Sequence, residues 1–258
     1  MQTVKLGSTD LIVSRIGLGS TKFGRNEQVK YPKPFEIPSD KELLNLLSCA
    51  ADLGINLIDT APAYGSSEAR IGALLSNRQN WIIATKVGEE FVNEQSIYNF
   101  TPEYAKMSIE RSLKNLKTDH LDIVLVHSDG NDVYNIQNFG ILDFLADQKN
   151  KGHIRAFGMS TKTIDGGLLA LEKSDIVMVT FNPLYIEEKP VITYAHQHNK
   201  GILVKKALCS GHIQNMPGQD PIQSSLKFIF AEPGVHSIII GTINCKNLTH
   251  NVSCLFSS

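Results

Sequence analysis

The sequence predicts an α/β protein of the (β/α)8 class, also called a TIM barrel. Eight short apolar segments recur along the 258 residues, each is followed by a longer stretch of helical periodicity, and no linker or composition shift divides the chain. Near-continuous apolar strands are typical of a parallel sheet covered by helices, and eight strand–helix units match a barrel in number and size. An open doubly wound sheet is the alternative, because the alternation alone fits both. We expect residues 1–258 to form a single domain.

The order of the elements follows from this alternation of apolar segments and helical segments. Residues 3–13 are expected to form a short hairpin with a turn near Gly7–Asp10. The barrel strands are predicted at 14–18, 55–58, 81–84, 121–126, 154–159, 176–180, 202–204 and 237–240. The helices are predicted at 39–53, 66–77, 102–117, 139–151, 163–173, 188–199, 221–231 and 244–254. Residues 25–38 contain three prolines and are expected to form a long loop after the first strand.

Capping residues support several of these helices. Ser39, Thr101 and Asn244 stand at predicted helix starts, where a side-chain oxygen can accept from a free backbone N–H. Glycines are expected just after helix ends, and the candidates are Gly54, Gly152 and Gly201. The turn at 17–22 does not match a dinucleotide-binding fingerprint, because Lys22 stands where the third glycine belongs and no helix is expected after it.

Composition and charge exclude several classes of protein. Lys plus Arg number 25 and Asp plus Glu 26, which gives a net charge of −1, so the chain is not a polycation built for nucleic acid. Four cysteines without a C-x-x-C pair predict neither a zinc site nor a disulfide scaffold. There is no apolar signal core and no apolar run long enough to span a membrane. We therefore expect a cytoplasmic protein that binds neither nucleic acid nor membrane.

Polar residues follow three successive predicted strands at the end where barrel enzymes carry their chemistry. Asp59 ends the second strand, Lys86 the third and His127 the fourth, and Tyr64 lies in the loop after the second. Taken singly, each has an ordinary structural interpretation: a helix cap, a solvated lysine, a structural histidine or a packed tyrosine. Four such groups at one end of adjacent strands favour a shared functional site.

The chemistry of this set is coherent. An ammonium such as that of Lys86 stabilises a nearby phenolate such as that of Tyr64, and the Asp59 carboxylate would keep the ammonium charged. A neutral imidazole at His127 can donate a hydrogen bond to a substrate carbonyl. The set could protonate a forming alkoxide or deprotonate an alcohol. We expect no metal ligands and an organic hydride carrier as the partner.

These residues resemble the aldo-keto reductase superfamily. The resemblance rests on the block Asp59–Glu68 (DTAPAYGSSE), on Thr85-Lys86, on Val126-His127 and on the late Gly241-Thr242-x-Asn244. It implies a barrel that binds NADP(H) across its mouth and reduces aldehydes or ketones. By this resemblance Tyr64 is the general acid in reduction, Lys86 and Asp59 tune it, and His127 orients the carbonyl.

The resemblance also implies a set of cofactor-binding residues. They are Gly19, Ser20 and Thr21 after the first strand, Ser160 at the nicotinamide carboxamide, Lys205 and Lys206 at the nicotinamide and phosphates, Ala207, Leu208, Ser210 and Gly211 over the pyrophosphate, and Gly241, Thr242, Asn247 and Asn251 at the adenosine end. The barrel rule places phosphates at the loops after strands seven and eight, in agreement with this set.

The sequence departs from the family pattern at several cofactor positions. Thr161 occupies the position of the usual Asn, and Met178 that of a Gln. Lys205 occupies the position of the aromatic residue that stacks on nicotinamide. Asn247 replaces an Arg that often grips the 2′-phosphate, and His250 replaces an acid near the adenine. Strand side chains alternate, so one of Lys205 and Lys206 should face the barrel mouth. We expect NADP(H) to be favoured and NAD(H) to remain possible.

Two other functions stay open. One is a nucleotide-binding sensor or interaction subunit with little turnover. The other is a Schiff-base lyase using Lys86, which a neighbouring Asp59 disfavours by keeping the lysine charged. The chain stops soon after the eighth predicted helix, so a small carbonyl or alcohol substrate is expected to be selected by the loops 25–38, 88–100 and 128–139. We expect a monomer or a small homo-oligomer.

Overall fold

The computed structural model describes residues 1–213 and 220–256 and contains the predicted barrel. A hairpin of β1 (Thr3–Lys5) and β2 (Ile12–Ser14) precedes it. The barrel strands are β3 (Ile16–Gly19), β4 (Leu57–Asp59), β5 (Ile82–Val87), β8 (Leu121–His127), β9 (Ile154–Ser160), β10 (Ile176–Thr180), β11 (Gly201–Lys205) and β12 (Ser237–Ile240). Parallel pairing of β12 with β3 closes the ring, which excludes the open doubly wound sheet.

Helices cover the outside of the barrel. They are α1 (Thr21–Gly24), α2 (Asp40–Asp52), α3 (Ser67–Leu74), α4 (Pro102–Leu116), α5 (Asp132–Phe139), α6 (Ile141–Asn150), α7 (Ile164–Lys173), α8 (Lys189–Gln197), α9 (Pro221–Phe230) and α10 (Cys245–Ser253). The predicted caps are present. Ser39 and Glu42 form a reciprocal capping box, Thr101 accepts from the N–H of Tyr104, and Asn244 caps α10.

Two layers of apolar side chains form the core. An inner layer fills the barrel with residues at alternate strand positions, and the hairpin closes one end of this layer with Leu6, Leu11 and Val13. An outer layer lies between the strands and the helices. The inner residues include Leu57 on β4 and Ala84 on β5. Because the strands alternate, the next inward positions on these strands belong to Asp59 and Lys86, at the open end of the barrel.

The structure corrects four details of the predicted elements. The short helix α1 follows β3, where no helix was expected. Helix α5 occupies most of 128–139, which looked like a loop because Ser128-Asp129-Gly130-Asn131 reads as a turn. The expected loop 88–100 contains a second hairpin, β6 (Glu89–Val92) and β7 (Gln95–Tyr98). Gly201 begins β11 and does not end α8; the left-handed residue after α8 is Asn199, with φ 52°.

A disulfide joins α2 to the start of α10. Cys49 and Cys245 are 196 residues apart in sequence, and their Cα atoms are 6.2 Å apart. The sequence carries no signal of this bond, because neither cysteine belongs to a recognisable pair. Cys209 and Cys254 are free thiols. Within 1–213 and 220–256, no helix is long and apolar enough to cross a membrane.

Candidate active site

A buried ion pair lies at the open end of the barrel. The Nζ atom of Lys86 donates to Oδ1 of Asp59 at 2.6 Å and to the carbonyl of Thr60 at 2.8 Å. The two side chains are only 2% and 6% exposed. β4 and β5 are neighbours with Asp59 paired to Ala84, so Lys86 reaches across from the next inward position of β5.

Tyr64 lies directly against this pair. It ends the 3-10 helix Pro62–Tyr64, and the Lys86 ammonium lies 4.8 Å from the centre of its ring. Lys86 and Thr21 both lie close enough to the Tyr64 hydroxyl to lower its pKa. Gly65 follows with φ 61°, and a Cβ there would lie 2.2 Å from the carbonyl oxygen of Gly24. The glycine after Tyr64 is therefore required by the turn that holds the phenol in place.

The electrostatics of the three groups are coupled. Burial raises the pKa of Tyr64, and the Lys86 ammonium opposes this effect by lowering it. Burial lowers the pKa of Lys86, but Asp59 and Tyr64 outweigh burial, so its pKa lies above the ordinary value. A lysine held in its charged form is a poor nucleophile. This disfavours the Schiff-base lyase hypothesis and leaves an ammonium that stabilises the phenolate.

His127 is the next member of the site. It is the last residue of β8, and its ring meets the Tyr64 ring edge to face with centroids 6.1 Å apart. Nδ1 of His127 lies 2.7 Å from Oε2 of Glu89. Sequence reasoning missed Glu89, because it belongs to a hairpin that looked like an ordinary loop. A carboxylate three residues after Lys86 in the sequence was the available signal.

The rest of the Asp59–Glu68 block anchors the site. The Ser67 hydroxyl donates to Ser20 and lies 3.1 Å from the Thr60 hydroxyl. The hydroxyl of Thr85 donates to the buried carboxylate of Glu68 at 2.6 Å. These bonds join α3 to β3, β4 and β5, so this part of the motif holds the strand ends in position.

Two predicted cofactor residues meet on β9 and β11. Nζ of Lys205 donates to the Ser160 hydroxyl at 2.8 Å and to the Thr161 carbonyl at 2.6 Å. Lys205 continues the inward face of β11, whereas Lys206 is exposed, as strand alternation requires. Burial lowers the pKa of Lys205, and the carboxylate of Glu188 opposes this effect. Ser160 is thus held by a cation at the inner edge of the barrel mouth.

The other predicted cofactor residues fall into two groups. Gly19 ends β3 and Thr21 begins α1, whereas Leu208, Ser210, Gly211, Gly241 and Thr242 lie in the segments that follow β11 and β12 at the barrel mouth. Ser20 and Ala207 are fully buried. The Ser20 hydroxyl donates to the Asp59 carbonyl, and the Ala207 carbonyl accepts from Ser225. The Ser20 side chain and the Ala207 backbone carbonyl are therefore both used in contacts within the fold.

The long loop 25–38 lies over the β12 side of the barrel mouth. A Cβ at Gly241 would lie 2.7 Å from the Tyr31 hydroxyl, and one at Gly211 would lie 3.1 Å from Pro32. Arg25 stacks on Phe91 of the second hairpin, 3.5 Å from its ring centre. The loop thus borders both the predicted cofactor groove and the hairpin beside His127.

The adenosine end of the predicted groove lies on α10. Asn247 is exposed in the first turn, and Asn251 is buried one turn later. Oδ1 of Asn251 has no hydrogen-bond partner among the described residues, and an unpaired buried acceptor is costly. The amino group of an adenine could donate a hydrogen bond to this acceptor. The residues present at this end therefore fit an adenine nucleotide.

Comparison with known proteins agrees with the geometry. The sequence profile of the Aldo/keto reductase family matches residues 15–217, which include Asp59, Tyr64, Lys86 and His127. This chain belongs to the aldo/keto reductase family. A Pseudomonas aeruginosa structure assigned to the aldo-keto reductases is 49% identical, with a TM-score of 0.90, over 98% of this chain and 93% of that one.

Two relatives illustrate the range of the aldo/keto reductase family. The uncharacterised oxidoreductase YqkF of Bacillus subtilis (strain 168) is 26% identical over 98% of this chain and 90% of its own length. The NADH-specific methylglyoxal reductase of Escherichia coli (strain K12) is 30% identical, but the match covers 64% of this chain and 53% of that protein. Family membership therefore identifies the protein as an oxidoreductase. It leaves the choice between NADP and NAD open.

Proposed function

We propose that this protein reduces the carbonyl group of small aldehydes or ketones with NADP(H), and that Tyr64 is the general acid. The observation that carries the proposal is the buried pair of Asp59 and Lys86 against Tyr64, with His127 beside the phenol. A bound nicotinamide would supply the hydride. Tyr64 would give its proton to the oxygen, Lys86 would stabilise the phenolate left behind, and Asp59 would keep Lys86 charged.

The site residues support a nicotinamide nucleotide as the hydride carrier. Ser160 stands at the barrel mouth for the carboxamide, and Asn251 offers the adenine an acceptor that no other described residue engages. NADP is favoured over NAD because Lys246 and the N-terminus of α10 offer positive charge to a 2′-phosphate. Lys246 and the helix N-terminus each bind a phosphate more weakly than the two-pronged guanidinium of an arginine. We therefore expect appreciable use of NAD as well. NADPH should bind more tightly than NADH.

The remaining parts of the proposal concern the whole protein. We infer that residues 1–258 act as one domain, alone or as a small homo-oligomer, and that the protein works in the cytoplasm without a nucleic-acid or membrane partner. The near-neutral charge supports the absence of a nucleic-acid partner. The substrate is a small carbonyl compound or the matching alcohol.

A panel of aldehydes and ketones tests the function, with NADPH and NADH compared at equal concentrations. We expect loss of reduced-nicotinamide absorbance with several carbonyls and a higher kcat/KM with NADPH. Tight nucleotide binding without turnover over the whole panel would instead favour a nucleotide sensor. Lack of binding of either nucleotide would refute both.

A further inference from the structure

The hairpin of β6 and β7 brings a fixed carboxylate to His127. Glu89 is the first residue of β6 and is 8% exposed. One carboxylate oxygen lies 2.7 Å from Nδ1 of His127, and the other accepts from the hydroxyl of Ser96 on β7 at 2.7 Å. The Ser96 bond fixes one oxygen and leaves the other against the imidazole; among the described residues, Nδ1 has this close contact and no aligned hydrogen bond.

The charges around this contact favour an ionised Glu89. Burial would raise the pKa of Glu89, but the adjacent His127, the hydrogen bond from Ser96 and the charge of Arg25 lower it to about 2. Burial lowers the pKa of His127, and Glu89 opposes that effect by raising it. The other groups that face His127 are the ammonium groups of Lys86 and Lys205, which lower its pKa, and the Tyr64 ring. Tyr98 faces Glu89 from β7.

An ionised carboxylate can only accept hydrogen bonds. A carboxylate oxygen 2.7 Å from a bare nitrogen lone pair would be repelled, so this contact favours a hydrogen on Nδ1. A neutral His127 then has a bare lone pair on Nε2 and cannot donate to a carbonyl through that atom. A neutral donor at His127, as expected from the sequence, is the alternative that the experiments below distinguish.

We propose that Glu89 is a positioning residue that holds His127 in the tautomer with its hydrogen on Nδ1, leaving Nε2 to face the substrate. This inference deepens the proposed carbonyl reduction and rests on it. Nε2 can donate to a carbonyl oxygen only when the imidazole is protonated, and it accepts from an alcohol hydroxyl when the imidazole is neutral. With Glu89 in place, a protonated His127 therefore assists carbonyl reduction, and a neutral His127 assists alcohol oxidation.

Imidazole NMR tests the tautomer without requiring turnover. The ring nitrogens of His127 are assigned with a His127→Gln variant, and their ¹⁵N shifts are followed against pH in the native protein, Glu89→Gln and Glu90→Gln. Glu90 is the matched control, because it lies on the same hairpin and pairs with Arg111. We expect the neutral ring to carry its hydrogen on Nδ1. We also expect the titration midpoint to fall by about one unit or more in Glu89→Gln, since a carboxylate within about 4–6 Å raises a histidine pKa.

Kinetics tests the consequence for the reaction. In the native protein, kcat/KM for reduction should fall as pH rises through the pKa of His127. Glu89→Gln should move this decline to lower pH, Glu90→Gln should not, and Glu89→Gln should change nothing further in the His127→Gln background. A neutral His127 with its hydrogen on Nε2, or an unchanged midpoint in Glu89→Gln, would overturn the proposal. If no carbonyl is reduced at all, the proposed function fails, and the NMR result still decides the role of Glu89.

Discussion

At the scale of single residues, Tyr64 carries the most direct prediction. Tyr64→Phe removes the acidic hydroxyl and keeps the ring that meets His127. General acid catalysis typically contributes about 10²- to 10⁴-fold, so kcat for carbonyl reduction should fall by that factor while cofactor affinity changes little. Tyr134→Phe is the control, because Tyr134 is an exposed residue of α5. Full activity in Tyr64→Phe would remove this residue from the mechanism.

Lys86 should set the pH at which Tyr64 works. Lys86 lowers the pKa of Tyr64, so Lys86→Met should raise it. Alcohol oxidation needs the phenolate and should therefore require higher pH, and reduction should be slower. The measurement is the pH dependence of kcat/KM in both directions, with Lys189→Met as a surface control.

The Lys86→Met variant also leaves the carboxylate of Asp59 buried without a partner. Breaking a buried ion pair can cost about 3–5 kcal/mol, so the folded fraction must be checked by thermal unfolding. Asp59→Asn combined with Lys86→Met removes both charges and should recover stability. An unchanged pH–rate profile in a folded variant would contradict the pairing of Lys86 with Tyr64.

The sequence predicted which residues meet at this site because strand alternation is strict. Asp59, Lys86 and His127 continue the inward positions of their strands, so their convergence followed from the barrel alone. Glu89 could not be found in this way, since it lies on a hairpin outside the barrel. Its contact with His127 depends on a turn at Asn93 and Glu94, both with positive φ, and glutamate is an unusual residue for that conformation.

At the scale of elements, we expect α10 to set the preference between NADPH and NADH. A charge-assisted hydrogen bond contributes about 1.5–3 kcal/mol, which corresponds to roughly one to two decades of affinity. Asn247→Arg should therefore tighten NADPH by about that factor and leave NADH nearly unchanged. Fluorescence titration at fixed salt gives both affinities, and Asn247→Gln controls for side-chain length without charge. Tighter binding of NADH than NADPH by the native protein would contradict the assignment of the adenosine end.

Local signals located most of the elements but not all of them. The caps at Ser39, Thr101 and Asn244 were readable because their side chains bond to the adjacent backbone. Helix α5 was not readable, because it has no side-chain cap at Asn131 and follows a stretch rich in turn residues. Its position depends on contacts such as those of Asp132, whose carboxylate accepts from the N–H groups of Lys162 and Thr163 beyond β9.

At the scale of the whole molecule, the number of strand–helix units predicted the barrel, but the closure of the ring is a long-range property. β3 pairs with β12 across more than 200 residues, and only the count of units pointed to it. The link between α2 and α10 is of the same kind. Cys49 and Cys245 come together because these two helices are neighbours around the closed ring.

The disulfide should stabilise this closure. In the chain-entropy account, cross-linking two residues 196 positions apart restricts the unfolded chain by about 5 kcal/mol, and measured gains are typically about 2–4 kcal/mol. Cys245→Ser should lower the free energy of unfolding by about 2–4 kcal/mol in denaturant titrations. A reductant should cause the same loss in the native protein and no further loss in the variant. Cys209→Ser is the control because Cys209 is a free thiol.

Since disulfides are rare in the cytosol, thiols should be counted in protein unfolded without reductant. Two free thiols support the bond, and four would mean that the native protein carries the pair reduced and gains no stability from it.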